Sequence, residues 1–110
     1  MRTLQKRAEF LALRRAPTWG CASFLLAGRL RADADETWRA GFTVTKKLGG
    51  AVARNRIRRR LKEAVRAVGP DAARPGYDYV FIARRRAATR NYRALLDDVK
   101  RGLLSLPDGR

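Results

Sequence analysis

Nine lysine and arginine residues lie between positions 46 and 66, together with a single acid, Glu63. These cations are Lys46, Lys47, Arg54, Arg56, Arg58, Arg59, Arg60, Lys62 and Arg66. Nine cations less one anion give the segment a charge of +8, which is half of the +16 carried by the 110-residue chain. Like charges three and four residues apart repel each other on a helix, so this composition indicates a surface that binds a polyanion. The alternative is a solvated helix face, although the charge runs that it explains usually have mixed signs.

Histidine is absent from the chain, and Cys21 is the only cysteine. The commonest protein general base is therefore missing, and with it the histidine-based routes to RNA cleavage. A lone cysteine excludes an intrachain disulfide and a metal site built on paired cysteines, so we expect Cys21 to be a small core or strand residue. The acids Asp33, Asp35 and Glu36 could in principle hold Mg²⁺, but a loop between strands is a common place for solvated acids. No catalytic and no metal-ligating residue is predicted on this chain.

A strand and a glycine turn precede the basic segment. Over residues 38–45, apolar side chains alternate with Thr43 and Thr45, which predicts a half-buried strand. Gly49 and Gly50 then end it.

A helix over residues 51–68 is predicted to carry most of the charges. Gly50 can serve as its N-cap, and Gly69 in a left-handed conformation, followed by Pro70, would end it. One face of this helix is apolar and must pack on a sheet or on another helix. The apolar face consists of Ile57, Leu61, Ala64, Val65 and Val68, and the opposite face consists of Asn55, Arg59, Lys62 and Arg66, flanked by Arg56 and Arg58.

The other elements are predicted to complete one α+β domain. A short helix is expected over residues 6–15, an extended segment over 19–28, an inner strand over 77–84 and a last helix with Thr89 as its N-cap. This order indicates helices packed on a single sheet. The chain is too short to bury two separate cores, so residues 1–110 are expected to form a single domain.

Phe10 and Arg14 lie one helical turn apart in the first predicted helix, outside its main apolar stripe. An aromatic ring beside a guanidinium can stack on the bases of a single strand without reading their sequence. The alternative is that Phe10 simply packs in the core.

Two short motifs resemble the signature of a known family, the bacterial ribonuclease P protein component. They are Lys46-Lys47-Leu48-Gly49 and Arg54-Asn55-Arg56, which match that signature in order and spacing. The family usually has Asn after the glycine of the first motif, where this chain has Gly50; exchanging an Asn cap for Gly costs only about a few tenths of a kcal/mol. The motifs match over roughly residues 41–63, and the order of elements matches over nearly the whole chain.

The resemblance implies an αβββαβα order with a left-handed β-α-β crossover through the basic helix, a fold similar to ribosomal protein S5 domain 2. Pattern reasoning alone would favour the right-handed crossover that nearly all parallel strand pairs have.

The resemblance also implies a function, as the protein subunit of ribonuclease P. Such a subunit binds the catalytic RNA and the 5′ leader of precursor tRNA, and the holoenzyme removes the leader by endonucleolytic cleavage. The RNA and its Mg²⁺ ions would carry out the hydrolysis, and the protein alone would bind no cofactor. The expected partners are therefore the catalytic RNA and precursor tRNA, with no membrane and no protein partner required. No apolar run approaches the roughly 18 residues of a membrane span, and no signal peptide is recognisable, so we expect a cytoplasmic protein.

Two sets of binding residues follow from the resemblance. The catalytic RNA would contact Lys46, Lys47, Arg54, Asn55, Arg56, Arg58, Arg59, Lys62 and Arg66. The leader would occupy a cleft between the first helix and the open face of the sheet, with contacts to Phe10, Arg14, Thr43 and Thr45. The family often has aromatic residues where this chain has Arg14 and Ala27, so leader binding is expected to depend more on charge than on stacking.

Three alternatives stay open from the sequence. An RNA-binding protein of the ribosome or of its assembly comes first. A DNA-binding protein comes second, because the helix could enter a major groove, but its arginines are spread around too much of the helix surface for one reading edge. A stand-alone nuclease is the weakest alternative, since the histidine-based routes are missing.

Overall fold

A five-stranded mixed sheet forms the centre of the protein, whose computed structural model describes residues 1–4, 10–11 and 13–107. The strands are β1 (Arg2–Thr3), β2 (Thr18–Gly20), β3 (Phe24–Leu30), β4 (Arg39–Thr43) and β5 (Tyr77–Ala83). Their order across the sheet is β1-β4-β5-β3-β2. β5 is parallel to β4 and antiparallel to β3, and β1 is parallel to β4. The predicted single sheet is confirmed, and β1 adds a short edge strand that the sequence did not predict.

β5 is the central strand, as its apolar composition predicts. Tyr79 and Phe81 are fully buried on one face of the sheet, in the main core. Val80 and Ile82 pack on the other face, in a smaller apolar cluster that includes Leu4. Both faces of the central strand are therefore covered, and the sheet separates two apolar layers.

Two α-helices pack against the main core, α1 (Ala51–Ala72) and α2 (Tyr92–Ser105). Short 3-10 turns at Lys46–Leu48 and Arg85–Ala88 precede them. α1 connects β4 to β5, which are parallel neighbours, so the expected β-α-β crossover is present. The α+β fold class is confirmed, and the hand of the crossover stays a prediction.

The predicted strands lie at the expected positions in the sequence, but their lengths differ from those predicted. The extended segment 19–28 is two strands, because a tight turn interrupts it: the backbone N–H of Cys21 donates to the carbonyl oxygen of Phe24 at 3.0 Å. Cys21 itself is half-buried in that turn. The strand predicted over 38–45 ends at Thr43, because Thr45 is the residue that precedes the turn Lys46–Leu48.

The helix predicted over 6–15 lies largely outside the described residues. Of the part that is described, Phe10 and Leu11 are helical and residues 13–15 form a turn.

The predicted end of the basic helix was wrong. α1 continues through Gly69 and Pro70 to Ala72, and the described glycines with a positive φ angle are Gly49 and Gly76. Packing gives the physical reason for a glycine at 69, since an added Cβ would lie 2.2 Å from Cη2 of Trp38. Gly69 therefore allows the helix to approach the indole, and the helix ends one turn later than the Gly-Pro pair suggests.

Of the two predicted helix N-caps, that of α1 is confirmed and that of α2 was wrong. Gly50 is the N-cap of α1, as predicted, with extended backbone angles. Thr89 is not the N-cap of α2; it follows the turn Arg85–Ala88. The N-cap is Asn91, whose side-chain oxygen accepts hydrogen bonds from the backbone N–H groups of Arg93 and Ala94 at 3.0 and 3.3 Å. An Asx cap two residues further along satisfies the first free N–H groups of the helix.

Candidate nucleic-acid interface

α1 presents its cations away from the sheet because its apolar stripe is buried, as the helical periodicity predicts. Ile57, Leu61, Ala64 and Val65 are buried in the main core, and Val68 is half-buried beside it. On the opposite side, Asn55, Arg56, Arg59 and Arg66 are exposed, and Arg58 and Lys62 are half-buried. We call these six residues, with Lys46, Lys47 and Arg54, the basic face.

The charge of the basic face is not neutralised within the described part of the protein. No carboxylate of those residues lies within 4.0 Å of its cations, since the described ion pairs involve other arginines, on the strands, the loops and α2. One internal contact orders it: Arg58 Nη1 donates to Oδ1 of Asn55 at 3.0 Å. A surface of this kind attracts phosphates through charge and through the fixed fork of the guanidinium group.

The turn before α1 and the first turn of the helix place the first three members of the basic face. Lys46 and Lys47 are exposed in the turn Lys46–Leu48, and Gly49 follows it with φ 128°, a backbone conformation that favours glycine. Arg54 lies in the first turn of α1 and is half-buried, and its Nε is buried with no hydrogen-bond partner among the described residues. Arg54 therefore combines a packed side chain with an unsatisfied donor.

An apolar groove of about 270 Å³ lies on the opposite side of the sheet from the main core. Its lining residues are Phe10, Leu13, Arg14, Thr18, Leu25, Ala27, Thr43, Val80 and Ile82. The predicted leader residues Phe10, Arg14 and Thr43 are thus brought together, whereas Thr45 is exposed beside the Lys46–Leu48 turn and is not part of the lining.

Phe10 packs in the small apolar cluster and also lines the groove, and its role in stacking stays a prediction. The ring packs against the small apolar cluster and is half-buried. It also lines the groove and lies directly over β4, where an added Cβ on Gly41 would be 2.7 Å from two of its ring atoms. Gly41 therefore lets the aromatic ring approach the strand closely, because a larger residue at this position would collide with it.

The chemistry of the groove suits an unstacked base. Its described lining residues are apolar apart from the guanidinium of Arg14 and the hydroxyls of Thr18 and Thr43. Ala27 occupies the strand position at which the family often has an aromatic residue, so that part of the lining contributes a methyl group only. An aromatic side chain with one cation can hold a base and its phosphate, and none of the described lining residues is an acid that could take up a proton.

The sequence did not predict two buried carboxylates that hold the domain together. Asp78 on β5 accepts hydrogen bonds from Arg31 Nη1 at 2.9 Å and from Arg39 Nη2 at 2.6 Å. Its burial would raise the pKa, but the hydrogen bonds and charges of the two arginines outweigh that effect and hold the pKa of Asp78 below its ordinary value. Arg31 is itself buried, although it lies in the loop between β3 and β4.

Asp98 on α2 is the second buried carboxylate. It accepts hydrogen bonds from Ser23 Oγ at 2.9 Å, Arg90 Nε at 3.0 Å and Arg101 Nη2 at 3.2 Å. Burial would raise its pKa, but the hydrogen bonds from Arg90 and Ser23 and the charge of Arg90 outweigh that effect, so the pKa of Asp98 is lowered. Asp98 thereby joins α2 to the β2–β3 turn and to the loop that follows β5.

The three acids considered for Mg²⁺ do not fit a metal site. Asp33 pairs with Arg31 at 3.2 Å, and Asp35 pairs with Arg2 at 3.1 Å. The backbone N–H of Thr37 donates to Asp35 at 2.8 Å and is the main reason that the pKa of Asp35 is lowered. Across the part of the chain that the structure describes, no three His, Cys, Asp or Glu side chains are grouped to hold a metal ion.

None of the helices in the described ranges is both long and apolar enough to cross a membrane.

Comparison with known proteins gives consistent matches. A family model for ribonuclease P matches residues 1–106. The ribonuclease P protein component of Caulobacter vibrioides (strain NA1000) is 53% identical over 103 residues, which are 94% of this chain and 69% of that protein. The same component of Ruegeria pomeroyi is 50% identical over 105 residues, 94% of this chain and 84% of that protein.

Solved structures show the same fold. The RNase P protein of Staphylococcus aureus superimposes with a TM-score of 0.78 at 24% identity, over 94% of this chain and 93% of that one. The RNase P protein of Thermotoga maritima gives a TM-score of 0.74 at 24% identity, over 92% and 97%. At this level of identity the structural similarity establishes the fold alone.

Proposed function

The chain belongs to the ribonuclease P protein family, and from that premise we propose that its basic face and its groove bind two different RNAs. Membership confirms the identification from the two motifs and makes the chain part of an endoribonuclease holoenzyme that acts in tRNA processing. The proposal concerns what each surface does in that holoenzyme. The basic face binds the catalytic RNA, and the groove binds the single-stranded 5′ leader of precursor tRNA.

One observation carries this proposal: the two surfaces belong to opposite layers of the sheet and differ in chemistry. The basic face is a charged helix side without carboxylate partners in the described residues, which suits the phosphates of a folded RNA. The described lining of the groove is mainly apolar and includes the cation of Arg14, which suits bases that are free to leave a stack. Because a sheet separates the surfaces, both RNAs can be bound at once.

Hydrolysis is assigned to the RNA and its Mg²⁺ ions, with the protein supplying binding and electrostatics. In support of this division, the chain has no histidine. The two buried carboxylates of the described residues, Asp78 and Asp98, already accept hydrogen bonds from two arginines each. A carboxylate held in this way by cations is a poor general base, because its pKa is lowered.

Two variants test the assignment of the surfaces. Arg56→Ala/Arg59→Ala should weaken assembly with the catalytic RNA whatever the substrate, because phosphate contacts give affinity without sequence information. Phe10→Ala should leave assembly intact and weaken only substrates with a leader, by roughly 5- to 150-fold, since a stacked base contributes about 1–3 kcal/mol.

Each variant has a matched control in the chain. Lys100→Ala removes an exposed cation from α2, and Leu11→Ala removes an exposed apolar side chain next to Phe10 and outside the groove lining. The measurement is the affinity of the reconstituted holoenzyme for precursor tRNA and for mature tRNA. If Phe10→Ala weakens both tRNAs equally, the groove does not bind the leader, and Phe10 has only its packing role.

A further inference from the structure

A second group of cations follows β5 and belongs to neither of the surfaces above. Residues 84–93 contain five arginines and no acid. One of them, Arg90, is directed inward to Asp98. The other four are exposed, and we call them the turn surface: Arg84, Arg85, Arg86 and Arg93.

The backbone beneath the turn surface is fixed at three points. Ala87 is fully buried in the main core. Arg60 extends from α1 and donates to the carbonyl oxygen of Ala87 at 2.7 Å, and its other terminal nitrogen donates to the carbonyl oxygen of Arg90. Arg90 in turn is held by the buried carboxylate of Asp98. The exposed arginines are therefore presented on a rigid support, which lowers the entropy lost when they bind a ligand.

Arg60, which is part of this support, adds one more positive charge. The support does not neutralise the exposed arginines of the turn surface. Within the described ranges, no carboxylate lies within 4.0 Å of Arg60 or of the four arginines of the turn surface. Arg93 also stands in the first turn of α2, which contains no acid, and a cation there opposes the helix dipole. Both features are unfavourable for the free protein, and both become favourable when a polyanion lies against the turn.

The position of the turn surface identifies its partner. β4 and β5 are parallel neighbours, so the turns that follow them leave the same edge of the sheet. Those turns touch, because Arg85 Nη2 donates to the carbonyl oxygen of Lys47 at 3.3 Å. The turn surface is therefore continuous with the Lys46 and Lys47 end of the basic face.

We propose that the turn surface binds phosphates of the same RNA as the basic face, so that the catalytic RNA wraps from α1 across the turn Arg85–Ala88. This inference rests on the function proposed above and extends it to residues outside the family motifs. The expected contacts are charge-assisted hydrogen bonds to phosphate oxygens, without base recognition.

Directed RNA cleavage locates the partner. Because Cys21 is the only cysteine, a Cys21→Ser background accepts one new thiol at a time for an iron-EDTA tether. A tether on Arg86→Cys should cut the catalytic RNA in the reconstituted holoenzyme, and a tether on Lys100→Cys should give clearly weaker cuts. Cuts confined to the precursor tRNA, or no cuts above those of the Lys100→Cys control, would overturn the proposal.

A charge-removal pair separates binding from folding. Arg86→Ala/Arg93→Ala should leave the unfolding midpoint unchanged or slightly raised. The same variant should lose about two phosphate contacts, so its RNA affinity should depend less steeply on salt. Since each contact contributes a slope of about 0.9, the loss of affinity between about 50 and 200 mM salt should be roughly tenfold smaller than in the wild type. If Arg86→Ala/Arg93→Ala leaves the salt dependence of RNA affinity unchanged, the proposed role of the turn surface is overturned and the proposed function stands. If Arg56→Ala/Arg59→Ala also leaves it unchanged, the proposed function itself is contradicted.

Discussion

Asp98→Asn should destabilise the protein at neutral pH and should remove part of its sensitivity to acid. The side chain of Asp98 is 2% exposed and accepts hydrogen bonds from one hydroxyl and two guanidinium groups. Asparagine keeps the shape and one acceptor oxygen, so no cavity forms. The charge is lost, and with it the charge-assisted part of the contacts to Arg90 and Arg101.

The size of the effect follows from the difference between charged and neutral acceptors. Hydrogen bonds to charged groups contribute about 1.5–3 kcal/mol each and neutral ones about 1 kcal/mol. The two arginines are 37% and 55% exposed, so water replaces part of what they lose. We expect Asp98→Asn to lower the free energy of unfolding by about 2 kcal/mol. A domain with about 5–15 kcal/mol in total stays folded after that change.

The pH dependence has a definite sign. The pKa of Asp98 in the folded protein is below its ordinary value of 3.8. A carboxyl with a lowered pKa adds stability that is fully present above the unfolded pKa and is lost as the pH falls through the folded pKa. The difference between wild type and Asp98→Asn should therefore be constant above about pH 5 and should shrink below about pH 4.

Urea unfolding of both proteins at several pH values measures this difference. The matched control is Asp97→Asn on the same helix, whose carboxylate is 65% exposed and pairs with Arg101 at 3.4 Å. An exposed pair of this kind is worth about 0–1 kcal/mol. If Asp98→Asn costs the same at pH about 3 as at pH about 7, the carboxylate is not the charged anchor described here.

Three further expectations concern packing, salt and catalysis. Gly69→Ala should destabilise the protein by roughly 1–2 kcal/mol, because its methyl group overlaps Trp38; in a Trp38→Leu background the same change should become neutral or stabilising in urea unfolding, since Ala favours helix. Affinity for the catalytic RNA, titrated at each salt concentration, should fall by roughly 10³–10⁵ between about 50 and 200 mM salt if 6–10 phosphates are contacted, and a flat curve would contradict the role of the basic face. No single Asp→Ala or Glu→Ala change should abolish cleavage of precursor tRNA at high Mg²⁺ with the catalytic RNA present; loss of cleavage in one of them would identify a catalytic group on the protein.

Local patterns predicted the parts of the fold that depend on neighbouring residues. The buried stripe of α1 follows from apolar residues at helical spacing, and the central place of β5 follows from its apolar residues on both faces. The groove residues Phe10 and Arg14 were singled out because they are one helical turn apart, whereas Thr43 was added only through the resemblance to the family. The binding roles of these side chains stay predictions.

Local patterns could not predict contacts between residues that are far apart in the sequence. Asp98 accepts a hydrogen bond from Ser23, 75 residues away in the sequence, and Asp78 accepts one from Arg31, 47 residues away. No local spacing of residues could predict either cluster. Gly69 looks like a helix stop beside Pro70, yet its function is to admit the indole of Trp38 from another element. The cap of α2 was an error of local pattern, because Thr89 and Asn91 are both acceptable cap residues and only the hydrogen bonds distinguish them.

The central position of the last strand has a consequence for how the chain folds as it is synthesised. β3 and β4 do not pair with each other; each pairs with β5, which ends at Ala83. A chain grows on the ribosome at roughly 5–20 residues per second. β5 is therefore synthesised several seconds after β3 and β4, and the two halves of the sheet cannot pair before then. α1, with its unneutralised charge, emerges during that interval without the completed sheet on which its apolar stripe packs. A nascent chain interrupted before β5 would therefore expose a cationic, half-apolar helix, which is a target for proteases and for any nearby RNA.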